Sequence, residues 1–262
     1  MEIQLVYNDN SLRNYSYLII SDRDAICVDP FDPGKIEAAL DRGGYRLIAI
    51  INTHEHFDHI RGNEVLASRA KEGVWAYKGA RGAIGTMSRG LRDEEIVNFG
   101  PSGEFLRVIH TPGHTMGHIC LLLHKESRAF GIMTGDTIFN CGVGNCRSGD
   151  PHILFRTVEK LSAMLGDEII VYPGHDYTEN NLRFTLSIQP DNDDARRLES
   201  RLNTEFRERH FIGTMRDERQ ANLFFMIGQP KLVDRLKKLY PDESLETPED
   251  VFLLLRSLRD KW

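Results

Sequence analysis

Short apolar segments recur along the amino-terminal part of the chain, up to about residue 178, and polar or turn residues separate them. Runs of this kind, rich in Ile, Leu, Val and Tyr, are typical of β-strands. The pattern predicts strands at 3–7, 16–21, 24–28, 47–51, 74–77, 104–110, 118–123, 129–134 and 168–172. We expect the first three strands to be antiparallel, because only short turns separate them.

Apolar residues at helical spacing predict helices between some of these strands and throughout the carboxyl-terminal part. The predicted helices are 35–42, 62–70, 151–165, 180–187, 195–209, 217–227, 230–239 and 248–259. The glycine-rich stretch from 79 to 90 shows little periodicity. The pattern therefore predicts an α+β protein, with a β-rich domain at 1–178 and a helical domain at 179–262.

Composition and charge narrow the class of protein. The formal net charge of −6 argues against nucleic-acid binding as the main task, because such proteins carry a basic domain or stripe. No apolar run approaches the roughly 20 residues of a membrane span, and residues 1–5 lack the features of a signal peptide. The four cysteines are scattered, so we expect reduced thiols and a cytoplasmic location.

The densest group of metal-binding residue types follows the predicted strand 47–51. Residues 53–59 read Thr-His-Glu-His-Phe-Asp-His. Neutral imidazole and carboxylate are preferred ligands of zinc and similar metals. In an extended chain, His54, His56 and Asp58 would share one face and His59 would point elsewhere. The helical His-Glu-x-x-His pattern does not fit, because Asp58 stands four residues after His54.

The same design recurs at three other strand ends. A glycine or tight turn follows a predicted strand and presents a histidine or an aspartate, namely His114, Asp136 and His175. His118 begins the next strand, so we expect it to play a supporting role. Thr53 and Thr111 are candidate supporting donors, and Cys141 and Cys146 lie close to the predicted site in the sequence. No motif surrounds the other histidines, His110, His124, His152 and His210.

Taken in order, the motifs Thr-His-x-His-x-Asp-His, Thr-Pro-Gly-His, Thr-Gly-Asp-Thr and Pro-Gly-His resemble those of the metallo-β-lactamase superfamily. The resemblance implies a four-layer αββα sandwich, in which loops at one edge of two packed sheets hold the metals. The ligands that it implies are His54, His56 and His114 for one metal, Asp58, His59 and His175 for a second, and Asp136 as a bridge.

Within that superfamily, the chain is similar to the glyoxalase II family of hydroxyacylglutathione hydrolases. The similarity rests on Asn-Tyr-Ser-Tyr at 14–17, Gly-His-Asp-Tyr-Thr at 174–178 and the ending Leu-Arg-Ser-Leu-Arg-Asp at 255–260. It implies that Tyr177, Arg256 and Arg259 bind glutathione. Two features depart from the family pattern: Asn145 stands where a lysine or arginine is usual, and 222–226 lacks a proline and an arginine. Either Arg147 replaces the basic residue that is missing at position 145, or the acyl carrier is not glutathione.

The implied function is hydrolysis of a small acyl-thiol, such as S-lactoylglutathione, by a binuclear metal site. Two metal ions can share a water and lower its pKa to about 7. The resulting bridging hydroxide would attack the thioester carbonyl, with Asp58 as ligand and orienter. Zn, Fe and Mn all suit these ligands. The alternatives are a mononuclear-iron persulfide dioxygenase, on positions matching His54, His114 and Asp136, and a lactonase or other metallo-hydrolase of the same fold. The oligomeric state stays open.

Overall fold

The computed structural model describes residues 1–100, 103–204 and 210–262. Its first sheet contains six strands that lie side by side in chain order. They are β1 (Glu2–Tyr7), β2 (Tyr15–Ser21), β3 (Asp24–Val28), β4 (Arg46–Ile51), β5 (Val74–Tyr77) and β6 (Met87–Leu91). Strands β1 to β3 are antiparallel, as predicted, whereas β3 to β6 run parallel.

The second sheet contains β7 (Ile96–Asn98), β8 (Phe105–His110), β9 (Ile119–Lys125), β10 (Arg128–Gly135) and β13 (Ile170–Pro173). Its spatial order is β13-β10-β9-β8-β7, and β13 pairs with β10 in parallel. A small hairpin, β11 (Ile138–Phe139) with β12 (Gly142–Val143), follows β10. The two sheets therefore present the ends of β4, β8, β10 and β13 to one region.

The sheets pack against each other because their strands alternate in side-chain direction. In β2, Tyr17 and Ile19 enter the core between the sheets, together with Leu106 and Leu121 of the second sheet. The intervening residue Leu18 instead packs toward helix α1 (Pro33–Gly43). The second sheet is covered on its outer face by α4 (Pro151–Met164). The layers are thus helix, sheet, sheet and helix, and the predicted α+β sandwich is confirmed.

The carboxyl-terminal part is helical. It contains α5 (Thr178–Ile188), α6 (Asp193–Thr204), α7 (Met215–Ala221), α8 (Pro230–Leu239) and α9 (Pro248–Asp260). The apolar faces of α5, α8 and α9 share a core with α4, in which Phe252 contacts Phe155 and Phe224 edge to face. Apolar residues of α6 and α7 pack with Leu182 of α5 in a smaller cluster. The division into domains at 178/179 stays a prediction, because α4 belongs to the first predicted domain and packs in the core of the second.

Several predicted elements were wrong in extent. The helix expected at 62–70 is the single turn α3 (Asn63–Leu66), which follows the turn α2 (Phe57–Ile60). The helix expected at 217–227 ends at Ala221 and continues as a 3₁₀ turn at Leu223–Phe225. Strands β6, β7, β11 and β12 were not predicted, because they are short and carry few apolar residues in alternation. Residues 205–209 of the predicted helix 195–209 lie outside the described residues.

In the described part of the chain, every helix is too short or too polar to cross a membrane.

Candidate metal centre

The histidine cluster lies just beyond the carboxyl end of β4. The expectation that residues 54–58 are extended is wrong, because α2 begins at Phe57 and the His59 N–H donates to the His56 carbonyl oxygen at 2.9 Å. The Asn52 side-chain amide also donates to the His59 carbonyl oxygen at 2.9 Å and holds this turn. Asp58 therefore turns away from His54 and His56 and lies beside His59.

The other candidate ligands reach the same place from three tight turns. Gly113, before His114, has a φ of +139°, and Gly135, before Asp136, has a φ of +46°. Both values favour glycine. A Cβ atom at Gly174, before His175, would lie 2.4 Å from Asp136 Oδ1. The glycines therefore let the backbone approach closely enough to bring the ligands together.

Two groups of ligand atoms that share no residue result, and a third group contains one member of each, His54 and His59, together with Asp136. In the first, His56 Nδ1 lies 3.0 Å from both His54 Nε2 and His114 Nε2. In the second, His59 Nε2 lies 3.2 Å from His175 Nε2, and Asp58 Oδ2 lies 3.5 Å and 3.4 Å from these two nitrogens. The atoms of each group lie within 4.8 Å of one another. The structure brings these six residues together in the two sets that the family resemblance implies, and the binding of one metal by each set stays a proposal.

Asp136 lies between the two groups. Its Oδ1 is 3.3 Å from His59 Nε2, and its Oδ2 is 3.4 Å from His114 Nε2 and 3.3 Å from His175 Nε2. The Asp136 backbone N–H donates to His118 Nε2 at 3.1 Å. Asp136 is thus the one candidate ligand, among the described residues, that faces both groups through two different oxygens.

Each histidine turns its second nitrogen toward an acceptor in the protein. Thr53 Oγ1 donates to Asp29 Oδ2 at 2.6 Å, so it accepts from His54 Nδ1 at 3.0 Å. His59 Nδ1 donates to Asp29 Oδ2 at 2.9 Å. The inward nitrogen of His54 is then a lone-pair donor, and the inward nitrogen of His59 becomes one when that imidazole is neutral, which is the form that binds a metal.

Backbone carbonyls and a hydroxyl hold the remaining imidazoles. His114 Nδ1 donates to the Asn145 carbonyl oxygen at 2.7 Å, and His175 Nδ1 donates to the Leu12 carbonyl oxygen at 2.8 Å. The His56 ring has the opposite orientation to the other imidazoles. Its Nδ1 points inward, and its Nε2 lies 3.0 Å from Ser148 Oγ. Contacts within the protein therefore orient all five imidazoles.

The electrostatics of the cluster favour a cation beside Asp136. Burial opposes the charged form of His59, but the carboxylates of Asp136 and Asp29 outweigh it and raise the pKa of His59 well above its usual value. Burial likewise opposes ionisation of Asp136, yet His175 and His59 hold the pKa of Asp136 well below its usual range. Burial, reinforced by His59, lowers the pKa of His54, so that imidazole is neutral. A positive charge shared by these groups is what a metal ion supplies.

The residues present fit divalent metal ions. Asp136 Oδ1 is buried and has no hydrogen-bond partner among the described residues. The inward lone pairs of His54 and His114 also both face His56 Nδ1 at 3.0 Å, an arrangement that a cation between them would stabilise. The donor set of imidazoles and carboxylates is the one that zinc, iron and manganese prefer.

The other histidines lie outside the cluster or support it. His118 is buried and shares its Nδ1 with Thr111 Oγ1 and Thr137 Oγ1, at 2.9 Å and 3.1 Å, which matches the expected supporting role. His110 stacks on Tyr77, His124 stacks on Phe105, His152 contacts Glu249 and His210 contacts Asp176. The four cysteines are free, and Cys141 is buried.

Sequence reasoning missed Asp29 and Asn14, which contact the cluster, as well as Ser148, which contacts His56. Asp29 accepts hydrogen bonds from the Thr53 N–H, the Thr53 hydroxyl and His59, and its own φ is +49°. In the sequence, Asp29-Pro30 indicated only a turn. Asn14 donates from Nδ2 to Asp58 Oδ2 at 2.9 Å. The one signal for Asn14 was its place in the Asn-Tyr-Ser-Tyr motif, which supported the family but no role.

The residues predicted to contact the substrate differ in how far their side chains are buried. Tyr177 stacks on His175 with ring centroids 4.9 Å apart, and Arg259 donates to Asn181 Oδ1 at 3.1 Å from α9. Arg256 is only 5% exposed, and its Nη1 donates to the carbonyl oxygens of Val143 and Gly144 at 2.9 Å and 3.1 Å.

Asn145 and Arg147 follow β12. The Asn145 side-chain oxygen accepts from the Arg147 N–H at 3.1 Å, while the Asn145 carbonyl holds His114. The Arg147 side chain is exposed. Whether Arg147 takes the place of the basic residue that the family resemblance implies at position 145 stays a prediction.

Comparison with known proteins adds the family. Residues 11–175 match the metallo-beta-lactamase superfamily, and residues 176–262 match the hydroxyacylglutathione hydrolase C-terminus. A hydroxyacylglutathione hydrolase of Nitrosococcus oceani is 39% identical over 266 residues, covering 100% of both chains. The chain belongs to the hydroxyacylglutathione hydrolase family of the metallo-β-lactamase superfamily. A member of this family from Polaromonas sp. is 37% identical, again over 100% of both chains.

Solved structures share the fold of this hydroxyacylglutathione hydrolase family member. ETHE1 from Myxococcus xanthus has a TM-score of 0.66 at 22% identity, over 98% of this chain and 91% of the other. TTHA1623, solved in a di-iron-bound form, has a TM-score of 0.54 at 27% identity, over 66% of this chain and 91% of the other. The predicted family, the fold and the class of enzyme, a metallo-hydrolase, are confirmed.

Proposed function

We propose that this chain hydrolyses the thioester bond of an S-2-hydroxyacylglutathione, such as S-lactoylglutathione, to glutathione and a 2-hydroxy acid. The observation that carries the proposal is that both parts of the chain match this family end to end, with the seven candidate ligands gathered at one place. The helical part matters most for the substrate, because the bare metal cluster suits many carbonyl compounds.

We further propose two divalent metal ions, one held by His54, His56 and His114, the other by Asp58, His59 and His175, and both by Asp136. The di-iron form of TTHA1623 supports two ions and makes iron a candidate, while the donor set suits zinc and manganese equally. When bound, such ions supply hydroxide at neutral pH and polarise a carbonyl group.

Asp58 is the proposed catalytic residue of the chain itself. Its side chain is 18% exposed, whereas that of Asp136 is 9% exposed, so Asp58 is the carboxylate that solvent reaches more easily. It is placed to orient the attacking oxygen and accept its hydrogen bond. Asp136 stays buried and compensates positive charge in the centre of the cluster.

Tyr177, which stacks on His175, and Arg259 of α9 are proposed to bind glutathione together. Burial raises the pKa of Tyr177, so its hydroxyl remains protonated and can donate a hydrogen bond. The charge of Arg259 on α9 opposes that rise in the pKa of Tyr177, so a cation lies within electrostatic range of the hydroxyl. A substrate carboxylate could be bound there while the thioester lies over the metals.

The remaining proposed contacts have less direct roles. Arg147 is the exposed cation that would bind the second carboxylate of glutathione, and Asn145 offers its amide nearby. Arg256 is proposed as a substrate contact because the family resemblance implies it. Its side chain is buried, however, and its main contacts fix the Val143–Gly144 backbone. Substrate would reach Arg256 only if that segment moved.

A panel of thioesters tests the proposal. The acyl group is kept as lactoyl while the carrier is glutathione, coenzyme A or N-acetylcysteine. We expect the glutathione thioester to have the highest kcat/KM, and the advantage to shrink in Arg259→Ala. Equal kcat/KM for all carriers would refute glutathione specificity. Oxygen uptake with glutathione persulfide is measured in parallel, because the dioxygenase alternative requires it and a hydrolase consumes no oxygen.

Three further expectations remain proposals. The first is the division into domains 1–178 and 179–262. The second is a cytoplasmic location, which the free cysteines suit. The third is a small-molecule substrate without nucleic-acid or membrane partners. Fractionation of cells that express the chain, followed by immunodetection, tests the location.

A further inference from the structure

The segment between β1 and β2 lies against the metal cluster through three consecutive residues. The Leu12 carbonyl oxygen accepts from His175 Nδ1 at 2.8 Å, and the Arg13 carbonyl oxygen accepts from the Asp176 N–H at 3.0 Å. Asn14 then donates from its side chain to Asp58 Oδ2 at 2.9 Å. The first contact orients the imidazole of a candidate ligand, the second fixes the backbone that follows it, and the third reaches the carboxylate of another candidate ligand.

Asn14 is buried, with 1% of its surface exposed, and the hydrogen bonds around it determine which way its amide points. The Asn14 backbone N–H can only donate, and it donates to Asn10 Oδ1 at 3.1 Å. This fixes the Asn10 amide, whose Nδ2 then donates to Asn14 Oδ1 at 2.8 Å. With its oxygen taken by Asn10, Asn14 presents its amino group to Asp58.

Asn14 contacts the Asp58 oxygen that faces two other candidate ligands. Asp58 Oδ2 is the atom that faces His59 Nε2 and His175 Nε2. Among the described residues, Asn14 is the one side chain that donates a hydrogen bond to the Asp58 carboxylate. Since Asp58 lies on the four-residue turn α2 and is partly exposed, little else restrains it.

We propose that Asn14 is a positioning residue that acts through Asp58. Its amide holds Oδ2 toward His59 and His175, and it draws negative charge from that oxygen. Groups that hold metal ligands in this way typically change metal affinity or activity about 10- to 100-fold when they are lost. The inference rests on the proposed function for its kinetic effect, but its effect on metal affinity does not depend on any substrate.

A double-mutant cycle with Asn14→Ala, Asp58→Ala and the double variant tests the proposal. Zinc affinity of the weaker site is measured by competition with a chromophoric chelator, and kcat and KM are measured with S-lactoylglutathione. We expect Asn14→Ala to lower affinity and kcat about 10- to 100-fold, with KM changed less than about threefold. In the Asp58→Ala background, Asn14→Ala should have no further effect on either quantity.

Additive effects in the cycle would overturn the proposal, because a residue that only supports the fold would act in both backgrounds. Wild-type affinity in Asn14→Ala would also overturn it. Asn98→Ala, on an exposed position of β7, is the matched control and should behave as wild type. If the wild type fails to cleave the thioester, the proposed function fails while the affinity cycle still decides the role of Asn14.

A second variant tests the same contact between Asn14 and Asp58 if Asn14→Ala does not fold. In Asn10→Asp, a carboxylate oxygen replaces the amino group that donates to Asn14 Oδ1. The Asn14 amide would then turn its oxygen toward Asp58, so zinc affinity should fall further than in Asn10→Ala. A wild-type affinity in Asn10→Asp would contradict the assigned orientation.

Discussion

His114 donates a hydrogen bond from Nδ1 to the backbone carbonyl oxygen of Asn145, 2.7 Å away. Position 145 therefore supports a candidate metal ligand through its backbone, whatever side chain it carries. The two preceding carbonyl oxygens accept from Arg256, which belongs to the last helix. The carboxyl-terminal helix is thus connected to the metal cluster through residues 143–145, as well as lying beside the proposed substrate site.

Arg256→Ala and Arg259→Ala should have different effects. Loss of Arg256 leaves two buried carbonyl groups without their donor, which should cost about 2 to 4 kcal/mol of stability and lower kcat. Loss of the half-buried Arg259 should raise KM for a glutathione thioester about tenfold with little change in kcat, because it removes binding common to substrate and transition state. Steady-state kinetics and denaturant unfolding of both variants distinguish the two roles. A raised KM with unchanged stability in Arg256→Ala would instead make Arg256 a direct substrate contact.

Gly144→Ala should disrupt the metal centre. An added Cβ would lie 2.0 Å from the Asp136 carbonyl oxygen and 3.0 Å from His114 Nδ1, so the backbone would have to move. We expect metal affinity to fall about 10- to 100-fold, as when groups supporting a ligand are lost. Gly82→Ala is the control, because no heavy atom lies within 4 Å of a Cβ there. Equal metal content in the two purified variants would contradict the prediction.

Asp29→Asn should weaken metal binding without removing any candidate ligand. Asp29 Oδ2 accepts from both His59 and Thr53, and an amide nitrogen at that position could not accept from either. His59 would lose its fixed orientation, and we expect metal affinity about 10- to 100-fold lower. Chelator competition measures the loss, with the exposed Asp9→Asn as control. An affinity equal to that of Asp9→Asn would show that Asp29 supports only the strand ends.

Glu218 should make stability depend on pH. It is fully buried, accepts from the Cys141 N–H and from Asn222, and burial raises its pKa to about 8 from the usual 4.5 despite these bonds. Because the folded-state pKa is raised, its stabilising contribution is complete below about pH 4.5. That contribution is lost as pH rises toward 8, by at most about 1.4 kcal/mol per pH unit.

Denaturant unfolding between pH 5.5 and 8.5 checks this dependence. Glu218→Gln should remove the decline, so the variant gains stability relative to wild type as pH rises. Glu243→Gln, on an exposed position, serves as the control and should follow the wild-type curve. Parallel curves for wild type and Glu218→Gln would contradict a protonated Glu218 at neutral pH.

The sequence predicted the strands and helices that bury a continuous apolar face. It also predicted the seven residues that meet at the cluster, because four turns place them after strand ends. It did not predict the helical turn at Phe57–Ile60, which decides that Asp58 faces His59 and His175 rather than His54. Periodicity in so short a segment cannot distinguish a turn from a strand.

The contacts that support the candidate ligands could not be predicted from the sequence either. Asp29, Asn14 and the Asn145 carbonyl act through contacts between segments far apart in the chain, and nothing in their own neighbourhood marks them. The burial of Arg256 is a similar case. Its family position indicated a substrate contact, whereas its depth depends on how α9 packs against Phe224 and residues 143–144.

The most direct test of the account is a metal titration of the stripped protein with S-lactoylglutathione as substrate. Chelation should abolish thioester cleavage, measured as the loss of the thioester absorbance. Added Zn²⁺ should restore cleavage, with saturation at about two metal ions per chain. A metal-replete chain that leaves S-lactoylglutathione intact, or a metal-free chain that still cleaves it, would contradict the account.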